Sequence, residues 1–593
     1  MVRRHTRRWR REAEAMYRIS SGRAMGLLIP CLRASAGKIV AGLVFACLAA
    51  GTSLCIPYTI KLAVDDVFTK RTIAPAAFAA GLLLLYMLRN VFLLAGRRIM
   101  LGVGERTALM ARRLTFEHLQ TLSTQTASGR TPGESLSRVT GDVTQLEGFV
   151  ETGLPKVFTT LLLVIGVLAV IFAMNPTLAA MSLAVMPLHM VLYIAMKKRI
   201  KAGNRHMREG ESGLASGLVE ALLGARAMAA STAEDTERRR FYDQANALLD
   251  SRLRLGSLHL WQKVFADIIV ALGTAGIYFH GGRLVTTGAM QSGEFFAFVG
   301  YLGMLYPLSL TLMTQTSHTL GTMASAERIM ELLEKKPDIT DSPDATPLPE
   351  GAGRVAFDRV GFSFGHTSAG IRGLSVVIGP GEVVAIRGPV GSGKSTLGGL
   401  LARFYDATEG TISLDDLPLA DLPLAQLRRA VGIAFQEPFI FSGTIADNIR
   451  YSDPDAADWQ VAETADAVGL TPMLAGLPDG LDTVVGEGGM QLSLGQKRRI
   501  DLARAVIKNP RVLVLDSLFV DGDDSHRFEE GRVFAQISRR RTTFVIDPPP
   551  YIAERASKII NLHRDGTAAV EDRASGFDAT SRISAEAGST HTV

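Results

Sequence analysis

Cysteine is nearly absent. Cys31, Cys47 and Cys55 are the three in a chain of 593 residues, too few for a disulfide framework or a four-cysteine metal site. All three lie in or beside the first apolar run, which reads them as small packing groups. Charge is scarce as well, at 21% of residues against 47% hydrophobic. That balance excludes a mostly disordered chain, which would be poor in apolar residues. The apolar residues are bunched in the first half, which argues against a purely soluble enzyme. The length allows several domains at ~150 residues each.

What is present in the first half is long apolar runs. A helix needs ~20 mainly apolar residues to cross ~30 Å of hydrocarbon. Ile39 to Ile60 meets this without a single charge, and Ile73 to Gly96 with one interruption at Arg89-Asn90. Val157 to Met174 and Thr177 to Met196 form a pair split by the turn signal Asn175-Pro176. Val264 to His280 and Phe295 to Met313 form a last pair. Six spans leave two long connections, 97–156 and 197–263, on one side and short links on the other.

Charge orients these spans. The first 38 residues hold ten Lys or Arg, including Arg3, Arg4, Arg7, Arg8, Arg10 and Arg11. The long connections add Lys197-Lys198-Arg199 and Arg238-Arg239-Arg240. The positive-inside bias therefore predicts a multi-pass protein of the cytoplasmic (inner or plasma) membrane with both termini cytoplasmic. The N-terminal stretch does not read as a secretory signal, because its apolar run is long enough to span. Topology and contact with anionic lipid explain Arg3–Arg11 more simply than nucleic acid does, so the lipid bilayer is the expected partner and nucleic acid is not. Arg89, His189 and Asp267 are costly inside spans. Each falls toward the cytoplasmic end, where a structural role is the simpler reading.

Composition shifts at Glu334-Lys335-Lys336-Pro337, and the stretch to Gly351 reads as a linker. Beyond it, β-branched runs alternate with amphipathic segments. The apolar strand Val383-Val384-Ala385-Ile386 runs into Gly388-Pro389-Val390-Gly391-Ser392-Gly393-Lys394-Ser395, with Thr396 opening a helix. This is the phosphate-binding pattern G-x-x-x-x-G-K-[ST] in its strand–loop–helix setting. Glycines let backbone N–H groups face phosphate oxygens, Lys394 supplies charge to the β and γ phosphates, and Ser395 offers a hydroxyl to Mg²⁺. The helix N-terminus adds to the attraction. ATP or GTP binding follows. A second apolar strand, Val512-Leu513-Val514-Leu515, ends at Asp516, a carboxylate suited to a phosphate-bound Mg²⁺.

These features together resemble a half-transporter of the ABC exporter type over roughly residues 20–565. The resemblance implies a multidomain fold: an all-α six-helix transmembrane domain joined to an α/β P-loop ATP-binding domain. The expected division is a basic cytoplasmic segment 1–38, a transmembrane domain 39–334, a linker 335–351, a nucleotide-binding domain 352–565 and a tail 566–593 whose composition predicts disorder. Gly133-Glu134-Ser135-Leu136-Ser137-Arg138 through Asp142 resembles the segment near the first coupling helix. Gln436 matches the Q-loop residue that senses Mg²⁺ and the γ-phosphate, so Ser395, Gln436 and Asp516 form the implied metal set. Leu492-Ser493-Leu494-Gly495-Gln496 matches the signature LSGGQ, with Leu494 in place of its first glycine. Phe364 falls where the family has a tyrosine that stacks on adenine.

Two departures concern catalysis. The family pattern LDEATSALD falls on Leu515-Asp516-Ser517-Leu518-Phe519-Val520-Asp521-Gly522-Asp523, which puts Ser517 at the glutamate position. The strand pattern TTIVIAH falls on Thr542-Thr543-Phe544-Val545-Ile546-Asp547, which puts Pro548 at the histidine position. Neither residue can polarise water or sense the γ-phosphate as the family residues do, so no catalytic group is intact. A positioned general base is worth ~10²–10⁴-fold. Asp523 falls on the D-loop, where a contact across a dimer is the better reading.

In the family, each ATP site forms between the phosphate loop of one nucleotide domain and the signature of another. The resemblance therefore implies ATP and Mg²⁺ as ligands and a second half-transporter as partner, most economically in a heterodimer. In it this chain holds ATP at a degenerate site and completes the partner's active site. The expected function is one half of an ATP-driven transporter, an exporter of unknown substrate. An importer on the exporter fold, or a non-transporting ATP-binding regulator or scaffold, are the alternatives.

Overall fold

The computed structural model describes residues 33, 35–122, 138–363, 370–489, 491–519 and 524–573. The chain divides into two compact units, Met1–Leu119 with Thr131–Lys335 and Gln120–Arg130 with Lys336–Val593.

The first unit is all helix among its described residues. Helix α1 (Ala36–Leu62) continues into a π-helical stretch, Ala63–Thr69. It is followed by α2 (Pro75–Thr121), α3 (Leu154–Met174), α4 (Val185–Leu223), α5 (Glu234–Thr286) and α6 (Ser292–Leu333). Shorter helical pieces, Arg138–Asp142, Val143–Gly148 and Phe149–Gly153, lead into α3, and Pro176–Leu183 leads into α4. Among the described residues six stretches are long and apolar enough to cross a membrane, matching the six apolar runs of the sequence. In the most apolar window of α2 no residue is buried inside the protein. Leu84, Leu94 and Val91 stand 66%, 68% and 59% exposed, a surface that water would not tolerate and hydrocarbon solvates.

The connections differ from loops of the sequence reading. Residues 97–121 are helix, residues 138–156 are helical, and 197–263 is helix apart from breaks near Gly224 and Ser231–Ala233. The spans therefore run on for several turns past their apolar windows, and the basic clusters lie on these extensions. The Asn175-Pro176 signal acts as read. Asn175 is extended and its side chain accepts from Leu178 N at 3.0 Å, while Pro176 opens the next helix.

Val167, Ile171, Leu178, Ile277, Phe298 and Leu302 form the interior where α3 to α6 meet. Tyr301 is buried there and donates to Leu54 O at 2.7 Å, tying α6 to α1. The contact continues about two turns further on, at the N-terminus of α6 and the π-helical end of α1. Gly293 N donates to Asp65 Oδ1 at 2.9 Å, and Lys61 pairs with Glu294 at 2.7 Å. Of the polar residues inside spans, Arg89 donates to Ser53 Oγ at 2.9 Å and His189 Nε2 to Ala266 O at 3.1 Å, partners that suit the structural reading. Cys47 is half-buried and Cys55 exposed, so Cys55 is not a packing group of this unit's core.

The second unit is α/β. Strands β1 (Val355–Ser363), β2 (Gly370–Ile378), β4 (Glu409–Leu414) and β5 (Leu417–Pro418) form an antiparallel sheet ordered β2-β1-β4-β5. A six-stranded sheet is ordered β12-β11-β3-β10-β9-β6. Its members are β3 (Val383–Arg387), β6 (Val431–Ala434), β9 (Val512–Asp516), β10 (Thr542–Ile546), β11 (Lys558–Leu562) and β12 (Ala568–Asp572). The five strands β11, β3, β10, β9 and β6 run parallel, with β12 antiparallel at the edge. β9 and β10 are buried at every position, which suits their runs of apolar and β-branched residues. Between the two sheets lies a core of Phe357, Leu374, Val384, Ile386, Leu397, Val514 and Phe544. A second core, with Ile445, Ile449, Ile500, Leu502 and Phe534, packs the helical part around α8 (Leu494–Ile507).

Candidate functional site

The parallel order determines where chemistry can gather. β10 lies between β3 and β9, with Ile546 opposite both Ile386 and Asp516. The loops leaving the carboxyl ends of these three strands open on one cleft, as is general for open α/β sheets. After β3 comes the glycine-rich loop, and then α7 (Lys394–Leu401). Gly391 and Gly393 take φ of +85° and +93°, a region that side-chain-bearing residues rarely enter, so the loop's turn requires glycine there.

The cleft has a volume of about 420 Å³. Val390, Gly391, Gly393, Lys394, Ser395, Thr396 and Gln436 line it, with Ser517, Asp547, Phe362 and Gly370. Gly388, Pro389 and Ser392 belong to the same loop beneath them, and Ser392 Oγ is buried with no partner among the described residues. Asp516 is buried at the end of β9, close to the Ser395 hydroxyl. Burial pushes the Asp516 carboxyl above the usual carboxylate range, while the Ser395 hydroxyl and the Lys394 charge oppose that shift. Ser517 Oγ is 3.4 Å from Asp516 Oδ1. Pro548 is buried and offers no donor. Phe364 lies outside the described residues, as do Gly133–Ser137 and Asp521–Asp523.

Lys394 Nζ donates to Gly388 O at 2.6 Å and Pro389 O at 2.9 Å, and lies 3.3 Å from Asp547 Oδ2. Asp547 was not singled out from the sequence. The signal was its position, one residue before Pro548 at a strand end where the family pattern has alanine. It became legible only once β10 was known to run between β3 and β9.

The donor set fits a nucleoside triphosphate with a divalent cation. The loop is shaped by glycine, an orphaned hydroxyl lies within it, Lys394 supplies the cationic charge, and Ser395 with Asp516 presents hard oxygen ligands. Among the described residues no group of three or more His, Cys, Asp or Glu could hold a metal alone, so a cation here would also need phosphate and water oxygens. When bound, such a cation neutralises charge on the phosphates.

The signature residues stand elsewhere. Ser493, Gly495 and Gln496 line a separate cavity of about 400 Å³. Ser493 is the N-cap of α8. Its hydroxyl accepts from Gln496 N at 3.2 Å, and Gln496 Oε1 accepts from Ser493 N at 2.8 Å, a reciprocal capping box. Leu494 is half exposed beside them, and Leu492 packs against the helical core. The phosphate loop and the signature therefore face different clefts within one chain. Behind the Q-loop, Phe435 N donates to Asp501 Oδ2 at 2.8 Å and Arg498 to Gln436 O at 3.2 Å, fixing the turn that carries Gln436.

A six-helix membrane unit followed by a P-loop unit with a signature helix defines an ATP-driven membrane transporter of the ABC class, and this chain belongs to the ABC transporter family. The family model for the ABC transporter transmembrane region matches residues 39–307, and the ABC transporter model matches 371–519. The uncharacterized ABC transporter ATP-binding protein YknV of Bacillus subtilis is 31% identical, over 82% of this chain and 80% of its own length. The ATP-dependent lipid A-core flippase of Syntrophus aciditrophicus is 29% identical, over 91% of this chain and 88% of its own. A solved bacterial Atm1-family ABC exporter with ATP bound shares the fold, with a TM-score of 0.76 at 24% identity, covering 91% of this chain and 94% of that one. The chain is a half-transporter of the exporter type, a multi-pass membrane protein with one ATP-binding domain.

Proposed function

We propose that this chain is one half of a heterodimeric ATP-driven exporter, holding Mg-ATP at a site that hydrolyses it poorly and completing the active site of a different half. The observation that carries this reading is Ser517 in the phosphate cleft beside Asp516. A hydroxyl bonded toward a carboxylate cannot take a proton from attacking water as a glutamate does, and Pro548 supplies no imidazole. Gly388 to Thr396 with Phe364, Gln436 and Asp516 would bind the nucleotide, Ser395, Gln436 and Asp516 its metal. Leu492 to Gln496 would close over the partner's ATP.

The expected setting is the cytoplasmic (inner or plasma) membrane with both termini inside, and the boundaries at 38, 334, 351 and 565 remain those of the sequence reading. The activity named for the Syntrophus relative, lipid flipping, supports ATP-driven transport by this chain; its substrate is left open. A regulator or scaffold is the second reading, favoured by the loss of both hydrolytic groups.

Photolabelling tests the nucleotide site. The purified chain is expected to be labelled by azido-ATP with Mg²⁺, and Lys394→Ala to lose most of that labelling. Equal labelling of the two would remove the site from Lys394.

A further inference from the structure

Asp547 introduces a negative charge where a phosphate site has no use for one. The chain leaves β10 at Asp547 with φ of +48° and leaves β9 at Ser517 with φ of +49°. Asp547 N donates to Ile386 O at 2.9 Å, and Ser517 N to Ile546 O at 3.1 Å, so both strand ends are fixed by the sheet itself. From this position Asp547 Oδ2 reaches within 3.3 Å of Lys394 Nζ. The ammonium also donates to Gly388 O and Pro389 O, so three protein acceptors already surround it. The Lys394 side chain is only 10% exposed, whereas that of Asp547 is 47% exposed in the cleft. Lysine of this loop is the point charge that meets the β and γ phosphates. Here a carboxylate stands against it, on the side of the strand end that carries the family's γ-phosphate sensor.

The two anions compete for one cation, and like charges at such range disfavour one another. A diphosphate takes the loop's backbone donors and meets Lys394 through its β phosphate alone, with no γ group to face Asp547. A triphosphate brings its terminal group toward the carboxylate. We propose that Asp547 is a specificity-determining residue: it contests Lys394 with the terminal phosphate, so the site holds a nucleoside diphosphate about as firmly as the triphosphate. The inference rests on the reading that the Lys394 loop binds adenine nucleotide. It implies that nucleotide can stay on this chain whichever phosphorylation state the partner's site has reached.

A bland reading competes with this one. Aspartate tolerates the left-handed backbone better than most residues, so φ alone could account for it. Two substitutions separate the readings. Asp547→Asn keeps the backbone tolerance and removes the charge, and Asp547→Gly suits the same φ with no side chain.

The full chain is purified in detergent with Mg²⁺, and displacement of trinitrophenyl-ADP by ADP and by adenylyl imidodiphosphate is measured at equilibrium. For the unaltered chain the two affinities are expected within about threefold of one another. Both variants should tighten the triphosphate analogue about tenfold and leave ADP nearly unchanged, the scale set by one unit charge at a partly solvated site. If the unaltered chain already prefers the triphosphate tenfold and the variants keep that ratio, Asp547 does not discriminate. Equal tightening or weakening of both nucleotides would also overturn the proposal. If neither nucleotide displaces the probe, the underlying reading of the Lys394 site falls with it.

Discussion

Lys508 shows how a single buried charge links this unit to pH. Its ammonium donates to Arg428 O and, at 2.8 Å, to Val431 O, bonding the end of a helix and the start of β6. Burial pushes it down from 10.5 to about 8. Below about 8 the folded and unfolded chains both hold the proton, and the burial cost is present in full. As pH rises from 8 toward 10.5 the folded chain releases it first, so stability grows over that window. Lys508→Met removes this dependence. The stability of the unaltered chain relative to Lys508→Met should rise by about 1–2 kcal/mol between pH 8 and 9.5, at ~1.4 kcal/mol per unit. Thermal unfolding of the two proteins at both pH values checks it; a gap that stays constant would mean Lys508 titrates normally. At this scale the glycine-rich loop was legible in the sequence, because its residue types are dictated by backbone conformation and phosphate charge. Asp547 was not, because its meaning depends on which strands flank β10.

Elements were legible where one physical signal dominated. The six spans followed from apolar length, and the break at Asn175-Pro176 from capping chemistry. The helical extensions of the spans were missed because they are polar, and polar residues between spans read as loops. A buried apolar cluster of Ala108, Ala111, Val143, Leu146, Ala326 and Ile329 packs part of those extensions, and part-buried polar contacts add to it. Arg328 in α6 pairs with Asp142 through both oxygens, one bond at 3.0 Å, and donates to Ser325 Oγ at 2.8 Å. The Asp142 side chain is 9% exposed and Arg328 44%. Arg328→Ala would strand a buried carboxylate, at a cost of about 1–3 kcal/mol after allowing for the solvated side of the arginine. The variant should unfold at lower temperature than the unaltered chain in the same detergent, and Arg328→Ala with Asp142→Ala together should recover part of the loss. Equal stability of the single variant and the unaltered chain would assign the contact no weight.

On the scale of the whole molecule, charge sets the expected orientation and the placement of the phosphate loop and signature sets the expected assembly. Charge bias predicts that the links near residues 66–70 and 286–290 lie outside the cell. Single cysteines at those positions should react with an impermeant thiol reagent in intact cells, and cysteines within 200–250 should not. The reverse pattern would invert the topology. The phosphate loop and the signature face different clefts of one chain, so a site made from both needs a second nucleotide domain. In the proposed heterodimer the weak site belongs to this chain and the active one to its partner. The direct measurement is ATP turnover of the assembled pair carrying either Ser493→Arg or Ser517→Ala. The account predicts that Ser493→Arg abolishes turnover, by placing bulk and charge where the partner's phosphate must be cradled. It predicts that Ser517→Ala changes turnover little, because no catalytic proton is handled there. Loss of turnover in Ser517→Ala with full activity in Ser493→Arg would contradict it.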